Sequence, residues 1–156
     1  MNLRHLFIAT ALFLGGCGST FEASTPPGFV EIENDYDAYD WRVTSADGLV
    51  MGVRVIDHDP VGTPEFWLKA IQNSMRLRGG YALLETVKVK SGDPAPVEGT
   101  QLRFGHDEES GTPHLYYLTL FVTPSYLFLV EAGGPKQLMT DHAAEIAASI
   151  AAFKTE

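Results

Sequence analysis

The sequence contains a single cysteine, few basic residues and no apolar run long enough to cross a bilayer. With Cys17 the only thiol in 156 residues, the folded part has no internal disulfide and must hold together by burial. Eleven Lys and Arg stand against 20 Asp and Glu, a net charge of −9. Such a chain repels nucleic acid and anionic lipid surfaces, so nucleic-acid binding is excluded as an expectation. The stretch Leu6–Leu14 is nearly all apolar, but it covers about half of the ~20 residues that a spanning helix needs. Catalytic signatures are also missing. The sequence has no Gly-x-Ser-x-Gly elbow, and "RGGY" and "EAGGPK" are too short for a phosphate loop or dinucleotide fingerprint.

What is present begins with an address. Met1–His5 is polar and carries Arg4, and the apolar run follows it, as in a secretory signal. "LGGC" at 14–17 resembles the lipobox of bacterial lipoproteins. That resemblance implies removal of residues 1–16 and lipidation of Cys17, with the covalent lipid as the only attached group expected. One acyl chain holds a protein only marginally, whereas two or more on one cysteine anchor it stably. Gly18 and Ser19 follow, with no aspartate after the cysteine. The resemblance therefore favours the cell envelope, on an outer membrane facing the periplasm if the host has one. Residues 17–27, ending in Pro26-Pro27, read as the lipidated cysteine and a flexible tether. Its extended stretch from Gly18 reaches on the order of 33 Å. Residues 28–156 read as a single domain, large enough for a proper core.

Within that domain the hydrophobic period alternates between strand and helix. Phe29–Ile32 reads as a short strand. Trp41–Ser45 and Leu49–Ile56 form a hairpin about Ala46-Asp47-Gly48, with Leu49, Met51, Val53 and Val55 on one face. Thr63-Pro64-Glu65 opens a helix with a cap, a first-turn proline and an acid at the positive end of the dipole. Its apolar stripe is Phe66, Trp67, Ala70, Ile71 and Met75, and Gly79-Gly80 ends it. Strands follow at Tyr81–Val89 and Thr100–His106. Next come His114–Val122 and Tyr126–Ala132, apolar on both faces and joined by a short turn, hence antiparallel neighbours covered on both sides. A final helix carries Met139, Ala143, Ile146, Ile150 and Phe153 on one stripe, its start open between Pro135 and Thr140. Two doubly covered strands and two helices predict an α+β fold, an antiparallel sheet with a helix layer on each face.

The hairpin "ADGLVMGVRV", the "FW" of the first helix, "GTQLRF", "YYLTLFVTPSYLFLVEAGG" and the closing "IAASIAAF" resemble the PsbP-like superfamily over Gly28–Phe153. That group includes a nuclear Ran-binding protein of the Mog type and bacterial lipoproteins. The resemblance implies an α/β/α sandwich and an accessory or binding role. It carries over no catalytic residue, because the matching positions are core and turn residues.

Candidate sites are few. His106 and His114 flank the loop "DEESGTP", with Asp107 beside them. Imidazole and carboxylate suit zinc or copper, but loop length does not fix the face each histidine uses, and two solvated histidines are the plainer reading. His58 stands between Asp57 and Asp59, yet neighbours on an extended chain point to opposite faces; His142 beside Asp141 meets the same objection on a helix. "ENDYDAYD" lacks the glycine and closing glutamate of a calcium loop. Its Tyr36 and Tyr39, with Trp41, form a candidate interaction surface, against core packing for Trp41.

These observations lead to a lipid-anchored envelope lipoprotein acting as a non-enzymatic accessory module for another envelope protein. No catalytic residue, metal or cofactor is assigned. Two other readings stay open: a small-molecule or metal-binding lipoprotein using the 106–114 loop, and a hydrolase with an unfamiliar site.

Overall fold

The computed structural model describes residues 19–33, 38–92, 95–107 and 111–155. Cys17 and Tyr36 lie outside the described residues. The strands are β1 (Phe21–Glu22), β2 (Phe29–Glu31), β3 (Trp41–Ser45), β4 (Val50–Asp57), β5 (Ala82–Lys90), β6 (Glu98–Asp107), β7 (Pro113–Val122), β8 (Tyr126–Pro135) and β9 (Lys154–Thr155). The helices are α1 (Pro64–Gly79), α2 (Lys136–Asp141) and α3 (Ala143–Ala152). Seven strands form one antiparallel sheet in the order β2-β3-β4-β8-β7-β6-β5, while β1 and β9 pair separately. The architecture is the α+β sandwich expected, with β8 at the sheet's centre.

Local chemistry accounts for most element boundaries. The Thr63 side chain caps α1 by accepting the Phe66 N–H at 3.2 Å, with Pro64 in the first turn. At the other end Gly80 takes φ +67° and closes the helix with a bond from its N–H to Met75 O. The β3–β4 turn places Gly48 at φ +97°, which only glycine adopts without strain.

Alternation along the strands divides the core in two. On one face Val43, Met51, Val53, Phe121, Phe128 and Val130 pack against Met139, Ile146 and Ile150 of α2 and α3. On the other Leu102, Phe104, Leu118, Leu120, Leu127 and Leu129 pack against Trp67, Leu68, Ile71 and Met75 of α1. The α1 stripe differs from the expected one at Ala70, which is exposed, and at Phe66, which is 58% exposed and meets Trp67 edge-on at 5.1 Å; Leu68 packs on the core instead. No residue of α1 is fully buried, and the helix lies across β5, β6 and β7. On its face, β3 and β4 are therefore left without a helix.

Two further features depart from the expectations. The closing helix breaks at His142 into α2 and α3, and Ala143 of its expected stripe is exposed. The flexible tether expected over 17–27 is, from Phe21 onward, packed on the domain. Phe21 stacks on Phe153 at 5.7 Å and meets Phe128 edge-on at 6.5 Å. Lys154 reaches Glu22 at 2.6 Å, and Ser149 donates to Ser24 O at 3.3 Å. A small, polar composition suggests a loose linker, but one aromatic side chain with a place in the core is enough to seat it. Phe153 links Phe21, Phe121 and Phe128 and is almost fully buried. Phe153→Ala is expected to lower unfolding stability by about 3–5 kcal/mol, measured by denaturant titration.

Candidate functional site

The helix-free part of the α1 face carries charged and aromatic side chains. Their placement follows from strand register, since residues directly opposite across a sheet share a face. Arg42 of β3, Gly52 of β4 and Glu131 of β8 are consecutive register partners. In the next row Val50, Gly133 and Tyr116 are aligned, and on the other side Arg54 pairs with Leu129. Arg54 and Glu131 are thus diagonal neighbours, and Arg54 Nη2 donates to Glu131 Oε1.

That pair is asymmetric: the Glu131 side chain is 3% exposed and that of Arg54 36%. A buried carboxylate is costly unless paired, and Arg54 brings the counter-charge from the edge of the cleft. Two tyrosine rings close over the pair. Tyr39, in the loop before β3, lies against the bare backbone of Gly52; a Cβ there would come within 2.7 Å of its ring. Tyr116 lies likewise over Gly133, where a Cβ would meet it at 2.9 Å. Glycine inside a strand marks such close approaches. The guanidinium carbons of Arg42 and Arg54 lie 5.9 and 5.7 Å from the Tyr39 ring centre.

Burial, and then the negative charge of Glu131, push the Tyr116 phenol far above its ordinary value of 10.0. The same causes raise Tyr39. Burial opposes the charge of Arg54, yet its hydrogen bond and attraction to Glu131 raise its pKa overall. Glu131 Oε2 and the Nε atoms of Arg42 and Arg54 are buried without a hydrogen bond of ordinary geometry. Beside this pair is a cleft of about 320 Å³ lined by Tyr39, Arg42, Tyr81, His114, Tyr116 and Glu131 among others.

The histidines of the 106–114 hairpin are direct register partners on β6 and β7. His106 packs beside Tyr81 at 5.0 Å, and His114 lines the cleft. Alternation sends Asp107 to the opposite face, where it is exposed. Residues 108–110 lie outside the described residues, and no group of three or more metal-type ligands occurs among the described ones. Of the aromatic trio, Tyr39 stands in the cleft, while Trp41 turns to the other face and packs against the α2–α3 core. Asp40 accepts the Val55 N–H at 2.7 Å, a backbone tie between the loop and β4.

His58 is 7% exposed. Its Nδ1 donates to Thr123 O at 2.8 Å, and its Nε2 accepts the Gly62 N–H at 2.9 Å and the Trp67 indole N–H at 3.1 Å. Both nitrogens are occupied in joining α1 to the β7–β8 turn, so the ring serves packing. His142 meets Asp47, at 3.4 Å, rather than its neighbour Asp141. The Arg54–Glu131 pair was not singled out from sequence. Its signals were a glutamate within the apolar run "LFLVEAGG" and glycines inside two strands.

No family model and no curated protein matches the chain. Solved structures do. A crystal structure of a protein from Bacteroides thetaiotaomicron VPI-5482 is 16% identical with a TM-score of 0.54, covering 88% of this chain and 45% of that one. The chain therefore spans less than half the length of that protein. The solution structure of cyanobacterial PsbP (CyanoP) from Synechocystis sp. PCC 6803 is 9% identical with a TM-score of 0.56, covering 91% of this chain and 96% of that one. The fold is PsbP-like. Identities this low establish the PsbP-like architecture and carry no residue roles.

Two outcomes follow from the site. Because Tyr39 and Tyr116 have raised pKa values in the fold, their contribution to stability is complete below pH 10 and lost as pH rises above it. A phenolate absorbance titration is expected to leave Tyr116, one of the six tyrosines, silent until the chain unfolds and to show Tyr39 ionising later than an ordinary phenol, and Tyr116→Phe is expected to flatten the alkaline loss of stability. Arg54→Met strands the Glu131 carboxylate and is expected to cost about 3 kcal/mol, the low end for a broken buried pair because Arg54 is partly solvated. In the double variant Arg54→Met, Glu131→Leu most of that loss is expected to return, as read by a double-mutant cycle in urea.

Proposed function

We propose that this chain is a non-enzymatic binding module held on the cell envelope through a lipidated Cys17. Its recognition surface is the helix-free part of the α1 face around Tyr39, Arg42 and Tyr116. The observation that supports this reading is the arrangement of the cleft. The charges of Arg54 and Glu131 answer each other, the phenols are held protonated, and His58 is occupied by backbone and indole partners. This is the chemistry of a preorganised surface: rigid aromatics with a guanidinium, a combination enriched where proteins recognise partners.

The packed N-terminal segment bears on the anchor. Only Gly18, Ser19 and Thr20 separate Cys17 from β1, and no helix among the described residues is long and apolar enough to cross a membrane. A lipid on Cys17 would then hold the β1–β9 end of the domain close to the bilayer, and the extended reach of a free tether is lost. The partner in this reading is another envelope protein.

Crosslinking capture from native envelopes tests it, comparing wild type, Cys17→Ser and Arg42→Gln. The expected result is one partner enriched with wild type and depleted with both variants. Turnover of a substrate by the purified protein, abolished by a histidine substitution, would overturn the non-enzymatic reading in favour of a hydrolase.

A further inference from the structure

We propose that the cleft beside Arg42 binds a small aromatic carboxylate, paired through its carboxylate with the Arg42 guanidinium and lying among Tyr39, Tyr81 and Tyr116. The inference rests on reading this cleft as the recognition site. It adds the chemical group that is recognised.

The charge balance carries the argument. Arg54 is answered by Glu131. Arg42, two strands from Glu131 across the bare Gly52, has no carboxylate partner among the described residues. Its guanidinium instead lies against the Tyr39 ring, with Nε buried and unbonded. Arg42, Arg54 and Glu131 leave one positive charge over, in a chain whose net charge is −9. A monoanion closes that balance. A guanidinium presents a planar fork of donors that matches a carboxylate.

The shape points to the rest of the ligand. The cleft, at about 320 Å³, is at the small end of the ~300–1,000 Å³ typical of ligand pockets. Tyr81 and Tyr116 have ring centres 5.7 Å apart and tilted at 49°, and Tyr39 stands on the far side over Gly52. A flat ring finds faces and edges here with which to pack. The groove between α3 and β5–β7 has a similar volume, about 310 Å³, and also contains an arginine. There, however, Arg103 is already engaged by Gln101 Oε1 at 2.7 Å, Glu85 at 2.9 Å and the Tyr117 ring at 4.9 Å. Of these two cleft arginines, Arg42 is the one without a carboxylate partner among the described residues.

Isothermal titration of the full chain in detergent with benzoate, and with benzamide as the uncharged match, tests the proposal. Saturable one-to-one binding of benzoate and none of benzamide is expected. Arg42→Gln is expected to weaken benzoate by roughly tenfold or more, the scale of one charge-assisted contact. If Arg42→Gln does not fold, Arg42→Lys carries the test, because it keeps the charge and loses the fork; intermediate affinity is expected. No benzoate binding, equal binding of benzamide, or unchanged affinity in the Arg42 variants overturns the proposal. Should benzoate fail while Arg42→Gln still depletes the captured envelope partner, the recognition surface stands and only the ligand falls.

Discussion

Strand β8 runs through the middle of the sheet with its residues from Leu127 to Ala132 buried, and the rest of the molecule is arranged around that burial. Five of those six are apolar and need only cover, which α1 supplies on one side and α2 with α3 on the other. The sixth is Glu131, whose carboxylate needs a partner of opposite charge. Arg54 on β4 provides it from the neighbouring strand. The glycines at 52 and 133 leave room for Tyr39 and Tyr116 to fold over the pair. Where the sheet carries charge, rings take the place of a helix, and a cleft remains at their margin.

The two faces are therefore specialised. The α2–α3 face is closed by the aromatic stack of Phe21, Phe121, Phe128 and Phe153, beside which β1 pairs with β9. The α1 face is half closed. Its helix lies over β5, β6 and β7, with the cleft on the remainder. On the proposed reading, a lipid held near β1 and a recognition cleft on the opposite sheet face would let the domain rest on a surface without spending its binding face on that contact.

Elements with local signals were legible in the sequence. Thr63-Pro64, Gly79-Gly80 and Asp47-Gly48 mark α1 and the β3–β4 turn because capping and positive φ act within a few residues. The doubly apolar runs at 114–122 and 126–132 identified β7 and β8 as central and antiparallel neighbours. The candidate site was legible only in fragments. Tyr39 and His114 were singled out, whereas Arg42, Arg54 and Glu131 were not. Arg54 and Glu131 are 77 residues apart, and their meeting depends on β4 pairing with β8 across the intervening helix and three strands. Trp41 lies on the other face because alternation in β3 opposes it to its neighbour Arg42, whereas Tyr39, two residues earlier, precedes the strand and folds over the cleft from the loop.

The sequence by itself determined most of the strand and helix segments, the sandwich class and the acidic charge, since period, turn chemistry and composition are properties of the chain; β1, β9 and the break in the closing helix were not among them. Tertiary structure decided which strand lies beside which, that Phe21 joins the core, that His58 is fully engaged, and that Arg54 has a carboxylate partner while Arg42 has none among the described residues. Those outcomes turn on contacts between residues far apart in sequence, where a one-residue change of register exchanges the face a side chain occupies.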